Sequence, residues 1–154
     1  MEELMIADTD KKELLAFGRK IRFSCNVRNE LNGLRKLTEK PLLSLPAGKP
    51  VMPRTFPKGE FTVGKPRPRT DDARRPFFIP TSATRTLPVW SVVDGHYGTP
   101  TDEYTEDIGY GLHFSRYENT EGCLKILSVD DLLFLVDSIN NCLKEKTIIK
   151  LKVI

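Results

Sequence analysis

Cys123 directly follows a glycine and comes ten residues after His113. A cysteine is an effective nucleophile only as its thiolate, and a neighbouring imidazole is the usual base that makes it one. Gly122 lets the backbone turn sharply and leaves amide N–H groups available to a developing oxyanion. The run from Gly111 to Lys125 therefore holds the parts of an acyl-transfer site. Cys123 would attack a carbonyl, and His113 would take its proton and later give one to the leaving amine. The amides of Gly122 and Cys123 would polarise the carbonyl oxygen. The imidazole also needs a partner on its second nitrogen. Ser115, Glu118, Asn119 and the Phe114 carbonyl are all candidates on sequence alone.

Short apolar strands must hold these residues, and Tyr110–Phe114 and Cys123–Leu127 flank the polar loop between them. Upstream, Ile21, Phe23, Cys25 and Val27 alternate with Arg22, Ser24, Asn26 and Arg28, the period of a half-buried strand with Cys25 on its core side. Prolines and glycines from Pro41 to Pro80 disfavour helix, so strands are expected at Leu42–Leu45, Glu60–Val63 and Phe77–Ile79, with another at Leu87–Val93. Asp94–Asp107 reads as a polar loop long enough to form a lid over a site. One helix is expected, from Val129 to about Glu145. Ser128 is its N-cap, Asp130 and Asp131 lie in its first turn, and Leu132, Leu133, Val136, Ile139 and Leu143 form its apolar face. A last strand covers Thr147–Ile154. Residues 1–19 read as a lead-in with a short helix around Lys11–Phe17, and residues 20–154 as one domain. The expected class is mostly β, a sandwich or barrel, with one long helix near the C-terminus.

The chain of 154 residues carries a net charge of +3, too small to point to nucleic acid by itself. No apolar run approaches the ~20 residues of a membrane-spanning helix. Three cysteines, far apart and odd in number, argue against a disulfide framework. Cys25 and Cys142 lie on apolar stripes and read as core residues. No Cys-x-x-Cys or His-x-x-His spacing occurs, so no metal and no cofactor is expected.

The order of these pieces resembles the L,D-transpeptidase catalytic domain family. That family carries a histidine, a loop, then Ser/Thr-His-Gly-Cys, an apolar residue and arginine. Here His113 is followed by a loop and Thr120-Glu121-Gly122-Cys123-Leu124-Lys125. The family's Thr-Pro-x-Gly-x-Phe turn and strand is similar to Thr55-Phe56-Pro57-Lys58-Gly59-Glu60-Phe61-Thr62-Val63. Leu87-Pro88-Val89-Trp90 is similar to the strand before its histidine. The matches span roughly residues 50–127. The loop between His113 and Cys123 is shorter than in the family, Glu121 replaces a histidine, and Lys125 stands for the arginine, which marks a compact, divergent subfamily. In papain-like hydrolases, by contrast, the cysteine precedes the histidine.

The resemblance implies attack by Cys123 on a peptidoglycan stem peptide. The acyl group then passes to an amine or to water, giving transpeptidase or carboxypeptidase activity. Lys125, Glu121, Tyr110 and His96 are the candidate substrate-binding residues. The acidic start Met1–Asp8 lacks the pattern of a secretory signal. The expectation is cytoplasmic synthesis and, if delivered, action in the periplasm or cell wall, as a toxin effector or phage-encoded enzyme. A secretion apparatus or an immunity protein would then be a partner. The alternative is a non-catalytic binding or structural module on the same scaffold. A weaker one is a nucleic-acid adaptor that uses Lys65, Arg67, Arg69, Arg74 and Arg75, although this run lacks the interleaved aromatics that stack on single strands.

Overall fold

The computed structural model describes residues 1–25, 51, 54–69, 77–93, 96–114 and 122–154. Its strands are β1 (Glu2–Asp8), β2 (Glu13–Ala16), β3 (Arg19–Ser24), β4 (Gly59–Thr62), β5 (Arg67–Pro68), β6 (Phe77–Pro80), β7 (Arg85–Val93), β8 (His96–Asp107), β9 (Gly111–Phe114), β10 (Leu124–Ile126) and β11 (Ile148–Val153). The helix α1 (Val129–Lys144) lies between β10 and β11. Among the described residues the fold is mostly β with a single helix near the C-terminus, as the sequence patterns imply.

Nine strands follow the order β4-β11-β1-β2-β3-β10-β9-β6-β5. Two neighbouring pairs, β1 with β11 and β9 with β10, are parallel. The ends of this order meet. β4 pairs with β11, and the same stretch of chain continues through a Val63–Thr81 bridge into β5, which pairs with β6. The Gly64 amide donates to the Pro80 carbonyl (2.9 Å) and the Ser82 amide to the Thr62 carbonyl (2.9 Å) across this join. The sheet thus closes into a barrel, which removes most of its exposed edges.

Strand alternation fills the barrel. Met5 and Ala7 of β1, Leu14 and Ala16 of β2, and Ile21 and Phe23 of β3 all face one core. Segment 1–19 was expected to be a lead-in with a helix around Lys11–Phe17; it forms β1, β2 and the turn into β3 instead. The reason is the period of two in Glu13-Leu14-Leu15-Ala16, which buries Leu14 and Ala16 opposite Ile21 and Arg19. Phe17 and Gly18 connect β2 to β3 as a two-residue turn, both with positive φ (51° and 75°), the geometry that suits the twist of a tight hairpin.

α1 seals one end of the barrel with Leu132, Leu135, Val136 and Ile139. The Ser128 hydroxyl accepts from the Asp131 amide (3.4 Å), as expected of the N-cap. Leu135 takes the place expected of Leu133, which is partly exposed, because the buried stripe lies slightly rotated on the helix. In β11, Ile149, Leu151 and Val153 point inward.

β7 and β8 pair only with each other among the named strands. The segment 94–107 was expected to be a loop over the site. From His96 onward it is the long second strand of a ribbon, with irregular register near Trp90. Tyr97 anchors the ribbon, packing its ring edge-on against Trp90 (6.1 Å between centroids) and donating its hydroxyl to the Val51 carbonyl (2.8 Å). Leu42–Leu45 lies outside the described residues.

Candidate functional site

β9 and β10 run parallel with Leu124 beside Leu112 and Lys125 beside His113. Leu112 and Leu124 are fully buried in the core. The pleat therefore carries His113 and Lys125 to the opposite face. Cys123 lies in the bend just before β10, one residue ahead of the Leu124–Leu112 pair, while His113 follows Leu112 on β9.

The His113 ring is half-buried, with Nδ1 3.1 Å from the Phe114 carbonyl oxygen. An N–H at Nδ1 donating to that oxygen leaves Nε2 with its lone pair, which is the form a base requires. Of the orienting groups open on sequence grounds, the Phe114 carbonyl is one the structure brings to the ring. Ser115, Glu118 and Asn119 lie outside the described residues, as does Glu121.

Gly122 has φ +119°, a conformation that side-chain-bearing residues rarely adopt. A Cβ there would stand 2.8 Å from the Arg54 carbonyl oxygen and 2.8 Å from Tyr110 Cε1. Packing as well as backbone geometry thus demands glycine here. The Cys123 thiol, partly exposed, donates to the Gly109 carbonyl (3.5 Å).

Tyr110 does not line a groove. Its ring is buried under Gly122 and packs edge-on against Phe56 (5.7 Å). Its hydroxyl donates to Asp107 Oδ2 (2.8 Å), and its carbonyl accepts from Thr81 Oγ1 (2.5 Å). Burial, then the Asp107 hydrogen bond and charge, push the phenol well above its usual range; Arg85 pulls the other way, and Cys123 adds a smaller upward push. Tyr110 supports the Gly122 turn from within. The physical reason is the same alternation that buries Leu112 two residues later.

Lys125 is buried, in register between His113 and Ser24 of β3. On the other side of His113 the register partner is Phe78, and beyond it Arg67, whose guanidinium lies 5.2 Å from the Phe78 ring centroid. Lys125, His113, Phe78 and Arg67 therefore form one row across four strands. Phe78 and Arg67 come from a distant segment and carry no motif; only the basic run around Arg67 hinted at a role. His96 pairs with Val93 at the far end of the β7–β8 ribbon, eight residues along β7 from Arg85. The structure does not align it with the β9–β10 face.

Cys25, Cys123 and Cys142 are free thiols. Cys25 and Cys142 both pack against the core, as their stripes imply. Burial raises both thiols above the ordinary value. Among the described residues no group of three or more His, Cys, Asp or Glu is placed to hold a metal ion. No helix there is long and apolar enough to cross a membrane. No family model, curated protein or solved structure matches the chain.

Proposed function

We propose that the chain is a cysteine acyltransferase of the L,D-transpeptidase kind, acting on peptidoglycan stem peptides. One observation carries most of this reading. Cys123 lies in the bend just before β10, which runs parallel to the strand β9 that carries His113, and the His113 Nδ1 faces a backbone acceptor. In the proposed reaction Cys123 Sγ gives its proton to His113 Nε2 and bonds to the substrate carbonyl carbon. The Gly122–Cys123 backbone would hold the resulting oxyanion. Collapse of the tetrahedral adduct breaks the C–N bond, and the leaving amine takes the proton from Nε2. An acceptor amine or water then attacks the thioester and regenerates the thiol.

The test is mass spectrometry of a purified stem tetrapeptide incubated with the protein. Release of the terminal amino acid, or its exchange, is expected. Cys123→Ala should abolish it, and His113→Gln should reduce it by about 10²–10⁴-fold. Unchanged product in the Cys123→Ala protein would refute the reading.

A binding or structural module is the second reading. It is favoured by the packing that alone accounts for Gly122, and by the hold of Gly109 on the thiol. Under it, iodoacetamide would modify Cys123 no faster than Cys25 at neutral pH. Under the enzymatic reading Cys123 reacts first.

A further inference from the structure

At the barrel end opposite α1, a cavity of about 480 Å³ is lined by Thr9, Cys25, Thr55, Phe56, Lys58 and Arg85. These residues come from the ends of β1 and β3 and from the segments that lead into β4 and β7. The size is that of a small-ligand pocket, and the make-up is that of a ligand site: one aromatic wall and a few converging polar groups. Among the described lining residues two are cations and none is a carboxylate.

Each group has a definable job. Arg85 spends Nε on the Thr55 carbonyl (2.9 Å), which fixes the plane of the guanidinium. Its two terminal nitrogens make no hydrogen bond or ion pair with the described residues. Asp107 is its register neighbour, but that carboxylate accepts the Tyr110 hydroxyl. Lys58 stands exposed at the rim. The Thr9 hydroxyl is turned to the Ile154 carbonyl (2.7 Å), so it offers an incoming anion no proton. Phe56 is buried behind, packed edge-on against Phe61 and Tyr110. The Lys12 charge also reaches Cys25, where burial is the stronger influence.

We propose that this cavity binds the free carboxylate end of a short peptide, held by Arg85 and Lys58 with Phe56 as the apolar wall. A planar fork on a fixed guanidinium suits a carboxylate, and a flexible ammonium at the rim adds charge without demanding geometry. The position deepens the acyl-transfer reading, on which the peptide's identity rests. The buried Tyr110 ring packs against Phe56 of the cavity wall and against the Gly122 bend that precedes Cys123, so cavity and thiol flank one ring.

Cys25 is a built-in reporter, because a ligand in the cavity must shield it. The experiment uses the full chain with Cys123→Ala, so that the outcome does not depend on catalysis. The rate of Cys25 alkylation by iodoacetamide at mildly alkaline pH is followed by peptide mapping. The probes are an N-acetylated alanine dipeptide, its C-terminal amide and inorganic phosphate. Saturable protection by the acid and none by the amide is expected. Lys58→Met and Arg85→Met should each weaken that protection by about tenfold. Should Arg85→Met fail to fold, the rim variant Lys58→Met still decides.

Equal protection by acid and amide, no protection by the acid, or protection that survives in both variants would overturn the proposal. Protection by phosphate but not by the acid would overturn the carboxylate assignment. Loss of stem-peptide turnover in the wild type leaves these results untouched, and loss of the pocket leaves Cys123 chemistry testable on its own.

Discussion

The two ends of the barrel are built from opposite materials. At one end α1 closes the core with Leu132, Leu135, Val136 and Ile139, of which three have no exposed surface. Phe17 of the β2–β3 turn meets Phe134 edge-on there (6.4 Å). At the other end the chain places Thr9, Cys25, Thr55, Lys58 and Arg85 around an open cavity, with the Gly122–Cys123 bend beside it. One end buries an apolar helix face, and the other keeps polar groups in reach of solvent. Stability and thiol reactivity should therefore be separable, and substitutions at the sealed end should leave the open end unchanged.

The largest expected effect is at the sealed end. Leu135→Ala removes a fully buried side chain and leaves a cavity, which costs about 2–5 kcal/mol. Urea denaturation measures that loss. In native buffer, well below the unfolding transition, the alkylation rates of Cys25 and Cys123 should stay at wild-type values. A change in either rate without unfolding would break the separation of the two ends.

Gly122→Ala tests the open end. The new methyl would meet the Arg54 carbonyl and the Tyr110 ring at a backbone angle suited to glycine. Strain of this kind costs about 1–3 kcal/mol. Because the bend also aims Cys123, its alkylation rate should change along with stability. A Gly122→Ala protein with wild-type stability and reactivity would remove the bend from the argument.

Tyr110→Phe is smaller and gains its meaning from pH. The buried hydroxyl donates to Asp107, and losing a hydrogen bond of this kind costs about 1 kcal/mol. The phenol's folded pKa lies above its usual 10.0, so above pH 10 the unfolded chain releases a proton that the folded chain keeps. Stability from this group is therefore fully present below pH 10 and erodes as pH rises beyond it. The difference between wild type and Tyr110→Phe in urea midpoint should narrow from neutral pH toward strongly alkaline pH. A constant difference would mean that Tyr110 titrates alike in both states.

Much of the sealed end is legible in sequence, because its information is local. Ser128, Asp130 and Asp131 announce the helix start, and the apolar spacing announces its buried face. The alternation from Ile21 announces β3. What fails is whatever lacks an apolar face to write the pattern. β8 carries Gly98, Pro100, Asp102 and Glu103 on an exposed ribbon, so it reads as a loop although it is a long strand. β1 and β2 are hidden by the charges at Lys11 and Lys12, and the parallel partner of β1, β11, lies far away in the chain. The proposed nucleophile and base were legible because they lie ten residues apart, while Arg85 and Lys58 meet Cys25 only through closure of the barrel. Tyr110 is buried, which sequence does not reveal because it gives the strand but not which face is inside.

The smallest effect is expected from charge at the sealed end. Arg19 lies 3.4 Å from Asp131 of α1, and its guanidinium stacks 3.8 Å from the Phe134 ring centroid. Both groups of the ion pair retain solvent contact, so the pair contributes at most about 1 kcal/mol, and salt screens it. Arg19→Met keeps an apolar stem against Phe134 and removes the charge. It should shift the urea midpoint slightly in low salt and by less at ~1 M salt, where the Debye length falls to about 3 Å. If the variant instead lost as much as Leu135→Ala at every ionic strength, α1 would be fastened by its flanks and not by its core-facing leucines. The contrast between an apolar end and a polar end would then rest on the wrong residues.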